Sequence, residues 1–396
     1  IITEYNPFHN GHKFHLEEAK KQTNCDGVIC IMSGNFVQRG GPAIVDKWQR
    51  TEMALNNGVD LIIELPTFYA VSSAEFFAKG AVSILNSLGV VDNIFFGSEC
   101  GDSKKLLEIA KVLVSEDSDF QNLLKRNLSL GLTFAKSREK SLIDYLNDED
   151  INNIVTSSNN ILGIEYIKAI LKLGSSINPV TLRREGSNYN DKEISTSFSS
   201  ATSIREVLKS SSPIENIKNL IPLESYEIFS KLQEENYDFI FDEEMFKYIK
   251  YKIQTNCINF NNLYEITEGL ENKIIKEISS SNSYDEFILK IKSKRYTYSK
   301  ISRLLTHIYL GLDNDCFKNI EDTNNLYARV LGFNKKGREI LSLIKSNSSI
   351  PLITKVPRFS DNPLLKFDLQ ATAAYSILNN KVNPYNDYLK SPIIKY

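Results

Sequence analysis

Ile2-Thr3-Glu4-Tyr5-Asn6-Pro7-Phe8-His9-Asn10-Gly11-His12-Lys13-Phe14-His15 passes from strand to turn to helix in a single short run. Ile1–Tyr5 reads as strand, Pro7 sits in the turn, and a helical pattern begins near His12 and runs to Lys21. A helix that starts where a strand ends presents unpaired N–H groups and partial positive charge, which favours a phosphate. Gly11 lets a phosphate or ribose approach the backbone. His9 and His12, three apart, can aim both imidazoles at one point and donate hydrogen bonds to charge developing on the phosphates. The chain holds four histidines, and His9, His12 and His15 all fall in this stretch. A zinc site would need further ligands, and no cysteine or carboxylate is obviously spaced to supply them.

Working outward, Gly27–Met32, Leu61–Leu65 and Asn93–Gly97 are short, apolar runs that read as buried parallel strands. Helical patterns lie between them, near Asp46–Asn57 and Ala74–Leu88. This alternation predicts a doubly wound, Rossmann-like α/β domain with a parallel sheet. Further helices are expected at Ser103–Ser115, Phe120–Leu130, Thr133–Leu146 and Ile161–Leu173, with another strand at Pro179–Arg184. The polar stretch Glu185–Ser199 reads as a loop, and Ser200–Leu208 as a serine-capped helix start. From Pro213 the alternation stops. Helices are predicted at Leu223–Glu234, Glu243–Thr255, Leu263–Ser279 and Tyr284–Ile291, and no strand rhythm remains. The expected division is therefore a nucleotide-binding domain over 1–210 and a mostly helical domain over 211–396. The tail Ile350–Tyr396, with five of the eleven prolines, is left unassigned.

The bulk composition narrows the function classes. A net charge of −2 argues against global attraction to nucleic acid or membrane while leaving room for a local basic face. No apolar run approaches the roughly 20 residues of a membrane span, and nothing reads as a signal peptide. Cys25, Cys30, Cys100, Cys257 and Cys316 are scattered and odd in number, which fits a reducing cytoplasm and gives no zinc signature. The chain opens on Ile1 rather than methionine, and a few residues are expected ahead of it.

A second phosphate-binding candidate is the turn Ser199-Ser200-Ala201-Thr202-Ser203-Ile204-Arg205. Its hydroxyls, N–H groups and arginine could cradle β- and γ-phosphates. Alone it reads as a capped helix; beside the first motif the phosphate role is favoured. His9-Asn10-Gly11-His12 resembles the H-x-G-H motif of the nucleotidyltransferase superfamily. The succession Ile2–His15, Met32-Ser33-Gly34-Asn35-Phe36-Val37-Gln38-Arg39-Gly40, Asp60-Leu61-Ile62-Ile63-Glu64-Leu65-Pro66 and Phe95-Phe96-Gly97-Ser98-Glu99 is similar to the bacterial tRNA(Met) cytidine acetate ligase family. Asn159-Asn160-Ile161-Leu162-Gly163 and Lys294-Arg295-Tyr296-Thr297-Tyr298 extend the resemblance over most of the chain.

That resemblance implies an enzyme that joins acetate to AMP, giving acetyl-adenylate and pyrophosphate. It then passes the acetyl group to N4 of the wobble cytidine of elongator tRNA(Met), forming N4-acetylcytidine. It implies that Ile2–His15 wraps the ATP, with His9 and His12 at the phosphates, and that Gly97, Asn159, Arg184, Ser203 and Arg205 also bind it. Asn160 and Arg183 stand next in line. Gly97 also reads as a turn glycine, Asn159 as an N-cap and Arg184 as a surface ion pair. The acetate pocket is expected near Ser33–Gly41 or Lys47. Mg²⁺ is admitted as a companion of ATP, although no aspartate cluster is dedicated to it. On the tRNA side, Lys290, Lys292, Lys294, Arg295, Lys300 and Arg303 lie in a stretch without acidic residues, with Tyr296 and Tyr298 among them. Such residues contact phosphates and stack on unpaired bases; a solvated helix face with core tyrosines is an equal reading. Lys335, Lys336 and Arg338 form a weaker basic cluster. The competing readings are a small-molecule adenylyltransferase and a non-catalytic RNA-binding protein with a relict ATP site.

Overall fold

Five consecutive buried residues at Leu61–Leu65 and four at Cys30–Ser33 mark strands covered on both faces, as parallel sheets require. The computed structural model describes residues 1–184, 199–210, 213–264, 266, 269–320 and 325–396. The chain begins β1 (Ile2–Thr3), α1 (Asn10–Thr23), β2 (Ile29–Ser33), α2 (Lys47–Asn56), β3 (Leu61–Leu65), α3 (Thr67–Ala70), α4 (Ala74–Ser87) and β4 (Asn93–Ser98). Helices α5 (Ser103–Ser115), α6 (Ser118–Ser129), α7 (Phe134–Leu146), α8 (Ile151–Thr156) and α9 (Ser158–Leu173) lead to β5 (Asn178–Arg183) and α10 (Ala201–Lys209). Strands β1, β2 and β3 run parallel, with Ile2 opposite Ile31 and Ile31 opposite Ile63. Strands β4 and β5 form a second parallel pair, and β4 lies alongside β1. Helix α1 packs on β4 and β5, and α9 packs on β4 with α4 and α5 against it. The expected loop Glu185–Ser199 lies outside the described residues except for Ser199.

The second half is helix-rich: α11 (Leu223–Glu234), α12 (Asp242–Gln254), α13 (Leu270–Ile278), α14 (Tyr284–Ile291), α15 (Tyr298–Leu310) and α16 (Asn314–Ile320). It is not strandless, and here the expectation is corrected. After α16 come β6 (Ala328–Phe333), α17 (Lys335–Asn347), β7 (Leu352–Ile353), α18 (Pro363–Leu378), α19 (Asn386–Leu389) and β8 (Ile393–Ile394). Strand β6 pairs antiparallel with β3, Glu64 opposite Arg329 and Leu61 opposite Phe333, and both β7 and β8 run parallel to β6. The sheet is therefore mixed, and residue 210 does not divide it.

Burial of charge explains why β6 belongs there. Arg329 lies 3.2 Å from Glu64 and 3.0 Å from Asp387 of α19. Lys47, at the start of α2, lies 2.7 Å from Glu64 and 2.8 Å from Asp387. Two cations and two anions thus close a ring, each side chain no more than 3% exposed. Burial opposes ionisation of Asp387, but Lys47 and Arg329 together hold it well below the usual carboxylate range. Beside the ring, Asp368 accepts the Thr67 N–H at 2.6 Å and the Tyr327 hydroxyl. Burial, then the charge of Glu64, pushes Asp368 up to about 7. Ionic groups this deep persist only when paired and hydrogen-bonded.

Candidate active site

Beyond β1 the chain turns through Tyr5, at φ +48°, and a cis Asn6–Pro7 bond to His9, the N-cap of α1. The Nδ1 of His9 accepts the Gly11 N–H at 3.1 Å, and the Nδ1 of His12 accepts the His9 N–H at 3.3 Å. This is a capping box built from two histidines in place of the usual hydroxyl and carboxylate. A ring nitrogen that accepts carries no proton, so each neutral ring holds its proton on Nε2. The rings stack at 3.7 Å between centroids, 29° apart in plane. Burial pushes His9 down to about 3, with Arg184 and Arg205 adding to the effect. Burial, then His9, His15 and Arg184, pushes His12 down as well, against an opposing pull from the Pro7 carbonyl. Both rings are therefore neutral donors near neutral pH.

A direct check follows from this assignment. Nitrogen-15 NMR should show Nε2–H tautomers for both rings, without titration from pH 8 to pH 5; an imidazolium forming near pH 6.5 in either would contradict it. A histidine held neutral by the fold contributes stability above its unfolded pKa of about 6.5. That stability is lost as pH falls from there toward about 3, because the unfolded chain binds the proton first.

The rest of the motif is divided between scaffold and site. Tyr5 and Phe8 are buried beneath the histidines, with the Tyr5 ring 4.6 Å from Phe8 and 4.9 Å from His12. Ile2 and Thr3 belong to β1, where Thr3 contacts the Cys30 sulfur at 2.9 Å. Glu4 accepts the Gln38 N–H at 2.7 Å, and Asn6 the Ile44 N–H at 2.8 Å. Asn10 donates to the Asn219 carbonyl at 3.0 Å, and Lys13 lies 3.8 Å from Glu224. Phe14 is exposed. His15 packs its ring 5.0 Å from Phe95, and burial above all pushes it down to about 3.

Two arginines meet this turn. Arg205 of α10 donates to the Asn6 carbonyl at 2.7 Å and to the Thr202 hydroxyl at 3.2 Å. Ser200 caps α10 by accepting the Ser203 N–H at 3.1 Å, and the buried Ser203 hydroxyl donates to the Ser200 carbonyl at 2.8 Å. Arg184, just beyond β5, donates to the Asn159 side-chain oxygen at 3.1 Å. A Cβ added to Gly97 would stand 3.2 Å from the Arg184 Cγ, so the arginine stem occupies the space above that glycine. Among the described residues neither guanidinium is ion-paired to a carboxylate. Asn159 is inside α9 rather than at its N-cap, which is Ser157. The N-cap reading of Asn159 is thus corrected, because Glu99, from the end of β4, takes the N–H groups of Asn159 and Asn160 instead.

Lys47 does not offer a free ammonium to acetate, since Glu64 and Asp387 hold it, and Ser33 is buried. Sequence reasoning missed Arg50. It is buried and donates to the carbonyls of Glu4 at 2.6 Å, Ser33 at 3.0 Å, Val45 at 3.2 Å and Gly34, binding the carboxyl ends of β1 and β2 together. Its position one turn after Lys47 was the only available signal.

The basic stretch is divided too. Lys292, Lys294 and Arg295 are exposed on the turn between α14 and α15. Lys290 is engaged with Glu286 at 2.7 Å. Tyr296 is only 6% exposed and lies under the Lys300 ammonium at 5.0 Å, which corrects its reading as an exposed stacking ring. Tyr298 is exposed, with its hydroxyl on Asp285 at 2.6 Å, and Arg303 is half-buried. Gly40, on the loop after β2, packs against the backbone of Ser302 and Arg303 too closely to admit a side chain. The basic turn therefore leads into a helix resting on that loop. Lys335, Lys336 and Arg338 lie on α17, whose cap residue Asn334 bonds Asp60 at the amino end of β3, opposite the strand ends that carry the histidines. Among the described residues no group of three His, Cys, Asp or Glu is arranged to hold a metal ion.

A family model described as HIGH nucleotidyl transferase matches residues 1–388. The chain is 49% identical over 395 residues to a tRNA(Met) cytidine acetate ligase of Clostridium novyi (strain NT), covering 99% of this chain and 98% of that one. It is 44% identical over 399 residues to the ligase of the same name from Clostridium tetani (strain Massachusetts / E88), covering 100% and 99%. Among solved structures, apo Thermotoga maritima TmcAL in form I matches with a TM-score of 0.91 at 33% identity, covering 99% of this chain and 98% of that one. The same protein bound with alpha-thio ATP in form II matches with a TM-score of 0.88 at 33% identity, over 99% and 98%.

Proposed function

From the premise that this chain belongs to the HIGH nucleotidyl transferase family and, within it, to the tRNA(Met) cytidine acetate ligases, we infer that it uses ATP to place an acetyl group on N4 of the wobble cytidine of elongator tRNA(Met). One observation carries the assignment of the site: two neutral Nε2–H histidines meet, at the start of α1, two arginines that have no carboxylate partner among the described residues. ATP lies across the carboxyl ends of the strands, where open α/β sheets take their ligands. The structural relative that binds alpha-thio ATP supports this nucleotide.

In the first step a carboxylate oxygen of acetate attacks the α-phosphorus. The new P–O bond gives acetyl-adenylate, and pyrophosphate leaves with the electrons of the broken bridge bond. His9 and His12 donate to the charge that develops on the phosphates. Donors of this kind contribute about 10²–10³ in rate each. Arg184 and Arg205 hold the β- and γ-phosphates. Mg²⁺ would arrive on the triphosphate, since such ions are commonly held by substrate phosphates and retained water with few ligands from the protein. In the second step the cytidine N4 amine attacks the acetyl carbonyl, AMP leaves, and the amine releases a proton. The five cysteines, all free, support a reducing cytoplasmic setting.

The turn Lys292–Arg295 is the tRNA contact. Replacing Lys292, Lys294 and Arg295 with alanine should weaken tRNA binding and lower the slope of log affinity against log salt by about two to three, while acetyl-adenylate forms at the native rate. An unchanged salt slope would move the RNA site elsewhere. The reaction itself is tested with ATP, ¹⁴C-acetate and a set of purified tRNAs, followed by nucleoside analysis. Label confined to N4-acetylcytidine of elongator tRNA(Met) is the expected result. An unlabelled product that joins AMP to a small acceptor would instead indicate a small-molecule adenylyltransferase, and the absence of any product a relict site.

A further inference from the structure

We propose that Glu99 is a positioning residue for adenylation: through Asn159 it aims Arg184 at the ATP phosphates while leaving that arginine's charge unneutralised. This rests on the reading of Arg184 as a phosphate ligand.

The chain of contacts is continuous. One carboxylate oxygen of Glu99 accepts the Asn159 N–H at 3.2 Å and the Asn159 side-chain NH₂ at 2.8 Å. The other accepts the Asn160 N–H at 2.8 Å. The buried Asn160 closes the loop, its side-chain oxygen accepting the N–H groups of Glu99 at 2.9 Å and Cys100 at 3.1 Å. Three donors converge on one side chain, so only an acceptor-only group satisfies them all. With its NH₂ held by Glu99, the Asn159 amide can point in only one sense, oxygen outward, and there Arg184 donates at 3.1 Å. Gly97 supplies the floor, its bare Cα leaving room for the arginine stem.

The division of charge follows from this arrangement. The Glu99 carboxylate sits on the first turn of α9, where the helix N-terminus stabilises it. Among the described residues Arg184 meets an uncharged amide oxygen instead of an anion. A carboxylate placed directly on that guanidinium would compete with phosphate for it, whereas an amide oxygen fixes its direction and leaves the charge for the ligand. Glu99 contacts Asn159, and Asn159 contacts Arg184, so on this proposal the effect of Glu99 on ATP passes through the arginine.

A double-mutant cycle on the full chain tests this. ATP affinity is measured by calorimetry, and KM and kcat by acetate-dependent pyrophosphate release. Glu99→Gln turns one of the acceptors into a donor facing a donor. It should weaken ATP binding roughly tenfold, raising KM more than it lowers kcat. In an Arg184→Ala background the same substitution should change ATP affinity by less than about twofold. Equal losses in both backgrounds would mean a general structural contact and would overturn the proposal. Glu99→Asp keeps the acceptors but draws them back by one methylene, and should show the same dependence on Arg184; it decides the matter if Glu99→Gln does not fold. Should Arg184→Ala alone leave ATP affinity unchanged, the phosphate reading of Arg184 fails first, and the proposal falls with it.

Discussion

Replacing His12 with alanine should lower acetate-dependent ATP–pyrophosphate exchange by about 10²–10³-fold, equivalent to roughly 3–4 kcal/mol of transition-state stabilisation. The effect should fall on the rate more than on ATP affinity, because the charge that the Nε2–H meets grows as the phosphorus–oxygen bond breaks. The substitution also removes the acceptor of the His9 N–H. That lost cap contact costs about 1 kcal/mol of stability, too little to unfold a domain and readable as a small shift in Tm. A companion variant separates the two roles. His9→Asn retains one of the best N-capping side chains for the Gly11 N–H but gives up the extended ring donor. It should keep native stability and still lose adenylation. Exchange within threefold of the native rate in both variants would remove the histidines from the chemistry.

The largest stability effect is expected at Arg329. Arg329→Met leaves Glu64 and Asp387 sharing only Lys47, with one negative charge in excess and almost no access to water. Breaking one partner out of such a buried set costs about 3–5 kcal/mol, and equilibrium urea unfolding should show it as a lowered midpoint. Adding Glu64→Gln to Arg329→Met restores the charge balance and should recover a substantial part of the loss. A cost below 1 kcal/mol for the single variant would mean that water reaches the ring. The ring ties α2, β3, β6 and α19 together, so the variant should lose ATP binding in parallel with the fold.

Much of this was legible in the sequence where local signals act. Leu61–Leu65 reads as a strand because it is short and apolar apart from Glu64, with β-branched Ile62 and Ile63 at its centre, and Asn93–Ser98 because Ile94, Phe95 and Phe96 form its short apolar core. His9 and His12 were legible as candidates for a phosphate site because motif and strand–turn–helix context coincide, and the structure stacks their rings at the start of α1. Strand β6 was hidden. Ala328–Phe333 is too short for periodicity to separate strand from helix, and Arg329 in its middle reads as a surface charge until Glu64 and Asp387 are placed beside it. Strands β7 and β8 have two residues each, below any pattern. Lys47 stood as one of two places for the acetate pocket for the same reason that Arg329 was missed: a basic side chain does not reveal partners distant in the chain. Glu99 stood inside a quoted motif but took no role, because its meaning depends on Asn159 and Asn160, which fold onto it from α9. That the histidines are caps as well as donors is a matter of which nitrogen accepts, and residue spacing carries no such information.

The antiparallel seat of β6 against β3 bears on how the chain is made. A ribosome delivers β1, β2 and β3 early, but the strand that covers the outer edge of β3 emerges only after all the helices from α4 to α16. Through most of translation the nucleotide-binding half therefore carries an open sheet edge, the kind of surface that recruits chaperones or pairs with a neighbour. A message that stops short of residue 328 would yield an aggregation-prone fragment rather than a working adenylating half. The two halves of this protein are inherited as one object, and recombination cannot exchange the helix-rich half as a cassette without also supplying a strand for β3.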